Sequence, residues 1–525
     1  MKRLILAVIT IISLIPFFLS LVSSLKEPQV QSYLELSQTD LLLMATEKQG
    51  TQGDWIQPDW FVLGQDPYAA ARDQYENSLN DSTQNLAKLQ ENLTQLQAKE
   101  ASQALAKDLL VAPSSPQKAI AALINLNQEV LHQQQLKVKL GLLEIAVNQP
   151  TRAIEQWQAV GQTGTLTLPP GSPAQIQLPA LQKTAQALIQ LWQDPPQVKP
   201  QTAQLLQTHL TGWFRDRALT RLYTVEQQAI ALETLRQEQQ NQAAQALQKL
   251  VLLSVLPILG GSLGLGLVVV LLLERFLKKE NALLAIAHQT PWSTPWDWEV
   301  IWQVLAVGFF FFGQIGLPLL LGVVSFDASQ LSLRGKAFYV LGSYGAMTLG
   351  GLTVMYLSIK SYFPLPPDWF RFRWRLPDWG WGIGGYLVAL PLVVLISLLN
   401  QQLWQGQGGS NPLLLLALQA QDKWVLGIFF FTAAVMAPFF EEMMFRGFLL
   451  ASLTRYFSVN VAILLSSFLF AIAHLNLSEV LPLAGLGMIL GIVYTRTRNL
   501  WVPMLLHGLW NSGTLISLFI LGSST

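Results

Sequence analysis

Past Lys249 the chain is a succession of apolar runs, at 250–273, 301–325, 337–359, 380–400, 424–453, 458–478, 481–495 and 500–520. In a bilayer every backbone polar group must be satisfied within the spanning structure, which leaves helices and closed barrels. Uninterrupted runs of this length match helices, which need about 20 residues to cross the hydrocarbon core. Eight membrane helices are therefore predicted; 481–495 is short for a span and must extend at its ends or thin the bilayer. The start of the chain adds one more. Met1-Lys2-Arg3 precedes an uncharged run from Leu4 to Leu25. At about 22 residues that run exceeds a signal-peptide core, and no small-residue cleavage site follows, so an uncleaved anchor is expected. The predicted fold class is all-α and polytopic.

Residues 26–248 differ in character. They are rich in Gln, Ala and Leu, and their apolar residues recur at helical spacing, as in Leu86-Leu89-Leu93-Leu96 and Leu205-Leu206-Leu210. Breaks fall at Pro113-Ser114-Ser115-Pro116, Pro169-Pro170-Gly171 and Pro195-Pro196. This reads as a large soluble helical domain between the first and second spans. From Leu140-Gly141 through Ala153 to Trp157 the spacing resembles a single tetratricopeptide repeat, although Lys137 stands where an aromatic is expected. No neighbouring copy is evident, so a repeat array and an irregular bundle both remain open. The last helix, Val225 to Leu250, meets no breaker before the next apolar run. The domains predicted are an anchor (1–25), a soluble helical domain (26–248), membrane helices (249–423) and a distinct membrane segment (424–521).

Charge constrains the arrangement. Lys2-Arg3, Arg275-Lys278-Lys279, Arg371-Arg373-Arg375, Arg455 and Arg496-Arg498 fall on one side with this span count, and Arg334 and Lys336 on the other. By the positive-inside rule the richer side is cytoplasmic, which puts 26–248 outside the cytoplasm. A net charge of +1 argues against a nucleic-acid partner. With no cysteine in the chain, thiol nucleophiles and cysteine metal sites are excluded. Gly260-x-x-x-Gly264 and Gly487-x-x-x-Gly491 lack the strand-turn-helix setting of a phosphate loop, and close helix packing is their better account.

The apolar runs contain five acidic, basic or imidazole side chains: Glu441, Glu442, Arg446, His474 and His507. All lie on the last helices. An ionised group at bilayer depth costs roughly 2.5–3.5 kcal/mol on insertion scales, so such residues usually face a cavity and act there. Glu442 and Arg446 are four apart and share a helical face, which suits a structural ion pair. Glu441 points about 100° away and needs another reason. His507 and Asn511 share a face, as do Phe470 and His474. The remaining histidines, His132, His209 and His288, lie in soluble or interfacial stretches, where a solvated side chain is expected. No G-x-S-x-G and no H-E-x-x-H is present. One glutamate and two histidines suffice to activate water, as general bases or through a bound metal. On straight ideal helices, however, His507 would lie shallow, His474 deep and Glu441 between, so the geometry only permits one site.

Glu441-Glu442-x-x-x-Arg446, Phe470-x-x-x-His474 and His507-x-x-x-Asn511, in that order on successive membrane helices, resemble the three motifs of the CPBP intramembrane protease family. This family, also called Abi, includes the type II CAAX prenyl endopeptidases, and the resemblance covers about residues 424–515. It implies an intramembrane endopeptidase in which Glu441 is the base, His474 and His507 are its partners and Asn511 helps to hold the oxyanion. Glu441, His474 and His507 would be the ligands if a divalent metal such as zinc takes part. The expected partners are the lipid bilayer and a membrane-associated protein or peptide, which enters a cavity between the last four helices. Residues 26–248 are expected to recruit proteins, and the expected setting is a bacterial plasma membrane or a thylakoid or plastid membrane. Two readings from other classes compete: a non-catalytic scaffold that binds proteins through 26–248, and a proton-coupled transporter. An inactive homologue would tolerate loss of Glu441 or a histidine, and a transporter lacks an evident inverted repeat here.

Overall fold

The computed structural model describes residues 1–25, 31–48, 66–105, 117–162, 173–285, 290–323, 331–404, 408–420 and 422–522. The protein is all-α and polytopic, and no strand occurs among the described residues. It divides into two units, Met1–Gln31 with Leu252–Ser523, and Ser32–Val251.

Helix α1 (Lys2–Ser24) belongs to the first unit. The second is a bundle of α2 (Gln31–Thr46), α3 (Pro67–Leu105), α4 (Gln117–Ala146), α5 (Pro150–Gly161), α6 (Pro173–Trp192), α7 (Thr202–His209) and α8 (Gly212–Val225). Its core gathers Leu140, Leu143, Trp157, Leu188, Phe214 and Leu222. The Leu140–Trp157 spacing is realised as the α4–α5 hairpin, in which the Trp157 indole N–H donates to the Val138 carbonyl at 3.1 Å. His132 is not solvated as expected. Its ring packs against Tyr33 with centroids 4.8 Å apart and planes tilted by 35°, and burial, aided by the Lys139 charge, pushes its pKa down to about 4. His288 and the breaks at 113–116 and 169–171 lie outside the described residues.

One helix boundary differs from the sequence reading. No helix starts at Val225; α8 ends there and α9 (Ala229–Lys278) begins after a turn. Gln227 takes a left-handed φ of 55°, and the Gln228 N–H bonds the Tyr223 carbonyl at 2.9 Å. That is a Schellman-type stop, here made without the glycine that usually signals it. Beyond it, α9 does run through Leu250 without a break.

The membrane unit adds α10 (Trp298–Gly322), α11 (Leu333–Tyr362), α12 (Leu376–Trp404), α13 (Pro412–Gln419), α14 (Lys423–Leu453), α15 (Val459–Ile472), α16 (Val480–Thr497) and α17 (Trp501–Gly522). Eight described helices, α1 and α9 among them, are long and apolar enough to span. The run at 458–478 is a correction: α15 has only 14 residues. The helix gives way at Ala473, and Leu475 turns to a φ of 64°, so His474 leaves the helix. The run at 481–495, expected to be short, lies within the 18 residues of α16. Packing follows the small-residue motifs. A Cβ on Gly264 of α9 would meet the Leu387 carbonyl oxygen of α12 at 1.8 Å, so only glycine permits that approach. Leu256, Ile258, Leu263 and Val270 elsewhere on α9 are exposed, as lipid-facing residues should be.

Polar contacts tie the helix ends into two rims. At one, Lys2 and Arg3 pair with Glu299, Thr454 accepts from the Trp292 N–H, and Asn499 bridges the Arg373 backbone. At the other, Ser24 Oγ accepts from the Leu477 N–H, Arg334 pairs with Asp422, and Glu479 accepts from the Asn411 N–H. The chain passes from the first rim at Thr454 to the second at Leu477 through α15 and the turn behind it. This short helix therefore still takes the place of a crossing.

Candidate active site

Helix α14 is irregular around its two glutamates. π-helical turns at Thr432–Met436 and Glu442–Leu450 flank an α-helical turn at Ala437–Glu441. Such turns concentrate at functional sites. Pro438 contributes: it has no N–H, so the carbonyls four and five residues before it, Ala434 and Ala433, lose an intrahelical partner. Asn511 of α17 compensates, its Nδ2 donating to the Ala433 carbonyl at 2.7 Å.

The predicted ion pair is present and wholly buried. Arg446 Nη1 lies 2.7 Å from Glu442 Oε1, and neither side chain is exposed at all. Arg446 Nη2 also donates to the Gly487 carbonyl at 3.3 Å, and the guanidinium lies over the Phe470 ring at 4.4 Å. Gly487 opens this slot, since a Cβ there would sit 2.9 Å from Ser467 and 3.3 Å from the guanidinium.

Glu442 does more than hold Arg446. His507 Nδ1 lies 2.8 Å from Glu442 Oε1. A carboxylate paired to arginine only accepts hydrogen bonds, so the proton sits on that nitrogen. His474 Nδ1 lies 2.9 Å from the Phe470 carbonyl, which fixes its proton the same way. In their neutral forms both imidazoles then turn an Nε2 lone pair toward the same atom. Glu441 Oε2 is 3.9 Å from His507 Nε2 and 4.0 Å from His474 Nε2. The other oxygen, Oε1, accepts from the Tyr344 hydroxyl of α11 at 2.9 Å, whereas Oε2 is buried without a partner.

The site therefore presents three acceptors converging on a gap too wide for direct hydrogen bonds. Acceptors on either side of a bridging water stand roughly 4–5 Å apart, which is the spacing found. A zinc ion asks for less: ligands at about 2.0–2.1 Å in a tetrahedron are roughly 3.3–3.4 Å from each other. Glu441, His474 and His507 are suitable donors in kind, and their separations of 3.9 and 4.0 Å are somewhat wider than that tetrahedral spacing. Among the described residues no group of three or more His, Cys, Asp or Glu forms a metal-holding set.

Glu441, His474 and His507 thus meet at one level, which straight helices would not allow. Release of His474 from α15 and the irregular turns of α14 account for the difference. The turn that carries His474 is pinned by Ser24 on the Leu477 N–H and by Asn400 on the Ser478 carbonyl. Asn511 stands one turn beyond His507, with one amide N–H committed to Ala433. Two features were not anticipated. The His507 ring bridges both glutamates, so Glu442 belongs to the site as well as to the ion pair. Tyr344 brings α11 into a cavity expected from the last four helices alone, and nothing in its spacing sets it apart from Tyr339 or Tyr356.

Comparison with known proteins bears on this same stretch. Residues 423–513 match the family described as type II CAAX prenyl endopeptidase Rce1-like. This segment is similar to that family. It carries both glutamates, the arginine and both histidines of the site. The chain is 27% identical over 142 residues to the membrane-embedded CAAX protease MroQ of Staphylococcus aureus (strain USA300), covering 26% of this chain and 56% of that protein. It is 25% identical over 138 residues to the membrane-peptidase candidate YdiL of Bacillus subtilis (strain 168), covering 26% and 54%. The chain spans about half the length of these curated relatives. No solved structure matches it. Tyr344 lies outside the Rce1-like segment.

Proposed function

We propose that the protein is an intramembrane endopeptidase that hydrolyses a membrane-associated protein or peptide with water held between Glu441, His474 and His507. The observation that carries this reading is Glu441 Oε2, buried and unpartnered, facing two imidazole nitrogens at 3.9 and 4.0 Å. Glu441 takes one proton of the water as its oxygen attacks the scissile carbonyl, while the other O–H, which stays with the product acid, donates a hydrogen bond to an Nε2 lone pair. The proton on Glu441 then passes to the leaving amine, giving one acid and one amine terminus. The second amide N–H of Asn511 is the donor for the oxyanion. In this reading Glu441 and the imidazoles activate the water themselves; the same carboxylate and two imidazoles would be the ligands if a divalent metal took part.

Reconstituted in vesicles with membrane-helix peptides, the protein should release fragments, and the rate should survive exhaustive chelation. No cleavage across a broad peptide panel contradicts the reading. Loss on chelation with recovery on adding zinc would instead make Glu441, His474 and His507 metal ligands. A scaffold held together by the buried pair needs only Glu442 and Arg446, and leaves the convergence on Glu441 without a purpose.

The excess of Lys and Arg on one side supports a reading in which residues 26–248 lie outside the cytoplasm, on a bacterial plasma membrane or a thylakoid or plastid membrane, and recruit protein partners. Protease added to sealed spheroplasts should digest 26–248 and spare the Arg371–Arg375 loop. Protection of 26–248 would invert the orientation.

A further inference from the structure

We infer that Tyr344 is a positioning residue of the active site, supplied by a helix outside the Rce1-like segment. The inference rests on the reading of Glu441 as the base. A glutamate carboxyl turns about its last bond through a broad, nearly two-fold range, so an unsupported one spends little time in any single orientation. Glu441 needs one orientation, with Oε2 toward both Nε2 atoms. The Tyr344 hydroxyl supplies it by donating to Oε1 at 2.9 Å, leaving Oε2 alone to face the imidazoles.

The tyrosine is itself held. Its ring packs edge-on against Phe440, the residue before the base, with centroids 6.3 Å apart and planes at 89°. One face of α11 closes on α14 through small residues: a Cβ on Gly351 would come within 2.9 Å of the Phe440 ring. Neither histidine replaces this contact, because the Nδ1 atoms are committed to Glu442 and to the Phe470 carbonyl. The base is thus clamped from outside the stretch that the three motifs occupy.

The test is steady-state cleavage of one membrane peptide by the reconstituted full chain, with rates expressed per folded protein. Tyr344→Phe removes only the hydroxyl. Supporting contacts to metal ligands, a comparable orienting role, cost about 10–100-fold when lost, and a kcat decrease in that range is expected with KM and the unfolding temperature unchanged. Tyr356→Phe, which removes an exposed hydroxyl from the same helix, should leave kcat unaltered. Wild-type kcat in Tyr344→Phe beside an inactive Glu441→Gln overturns the role of Tyr344 alone. A Tyr344→Phe protein that fails to insert or unfolds early also overturns it, because the hydroxyl then serves stability. Activity in Glu441→Gln brings down the base assignment and this role with it.

Discussion

Replacing Arg446 with alanine should destabilise the membrane unit by about 3–5 kcal/mol, the usual cost of leaving one half of a buried ion pair behind. The estimate is apt because neither Glu442 nor Arg446 is exposed. The guanidinium also holds the Gly487 carbonyl and covers Phe470, so the loss extends across α14, α15 and α16. Glu442 would be left as a buried carboxylate with only His507 beside it. Thermal unfolding at a fixed scan rate, together with folded yield, reads the effect. The double substitution Glu442→Ala/Arg446→Ala should cost less than the sum of the two singles, since neither charge is then stranded. Unchanged stability in Arg446→Ala would show that the pair does not hold the helices. Glu442→Ala should behave differently from Arg446→Ala in one respect. Its surviving folded fraction should also be impaired in activity, because His507 loses the acceptor that fixes its proton.

Glu441→Gln should leave a folded protein with cleavage reduced by about 10²–10⁴-fold, the usual contribution of a general base. The amide keeps the shape of the carboxyl and an oxygen for Tyr344 but cannot take a proton from water. Its effect on stability should be nil or favourable, since a charge is removed from a site where Oε2 has no partner. Loss of activity at intact stability is therefore the signature of Glu441, and loss of both the signature of its neighbour. The His507 ring explains why adjacent glutamates pointing about 100° apart can serve one site: its Nδ1–H donates to Glu442 and its Nε2 faces Glu441 across 3.9 Å.

The parts of this structure that were legible in the sequence are those set by strong local rules. The cost of a bare backbone in lipid makes spans visible as apolar runs, and helical period places Glu442 beneath Arg446. The small-residue motifs likewise pointed to close packing, realised at Gly264 and Gly487. What escaped depends on contacts between helices or on weakly coded stops. Ala473-His474-Leu475-Asn476 contains no glycine or proline, yet α15 ends there, held by partners hundreds of residues away in sequence such as Ser24. Gln227 likewise ends α8 in a conformation normally given to glycine. The π turns of α14 follow in part from Pro438, but their consequence, a free carbonyl for Asn511, is visible only once α17 is in place. Tyr344 carries no signal of its own because its role is decided by the side chain it meets on another helix.

Hydrolysis by a base at Glu441 leaves its products in the membrane where the protein works. Membranes from cells carrying the wild type or Glu441→Gln, matched for folded protein, can be compared for new N-termini by mass spectrometry. A set of membrane-protein fragments should be present with the wild type and absent with Glu441→Gln. The same fragments at the same abundance in both would contradict hydrolysis by a base at Glu441.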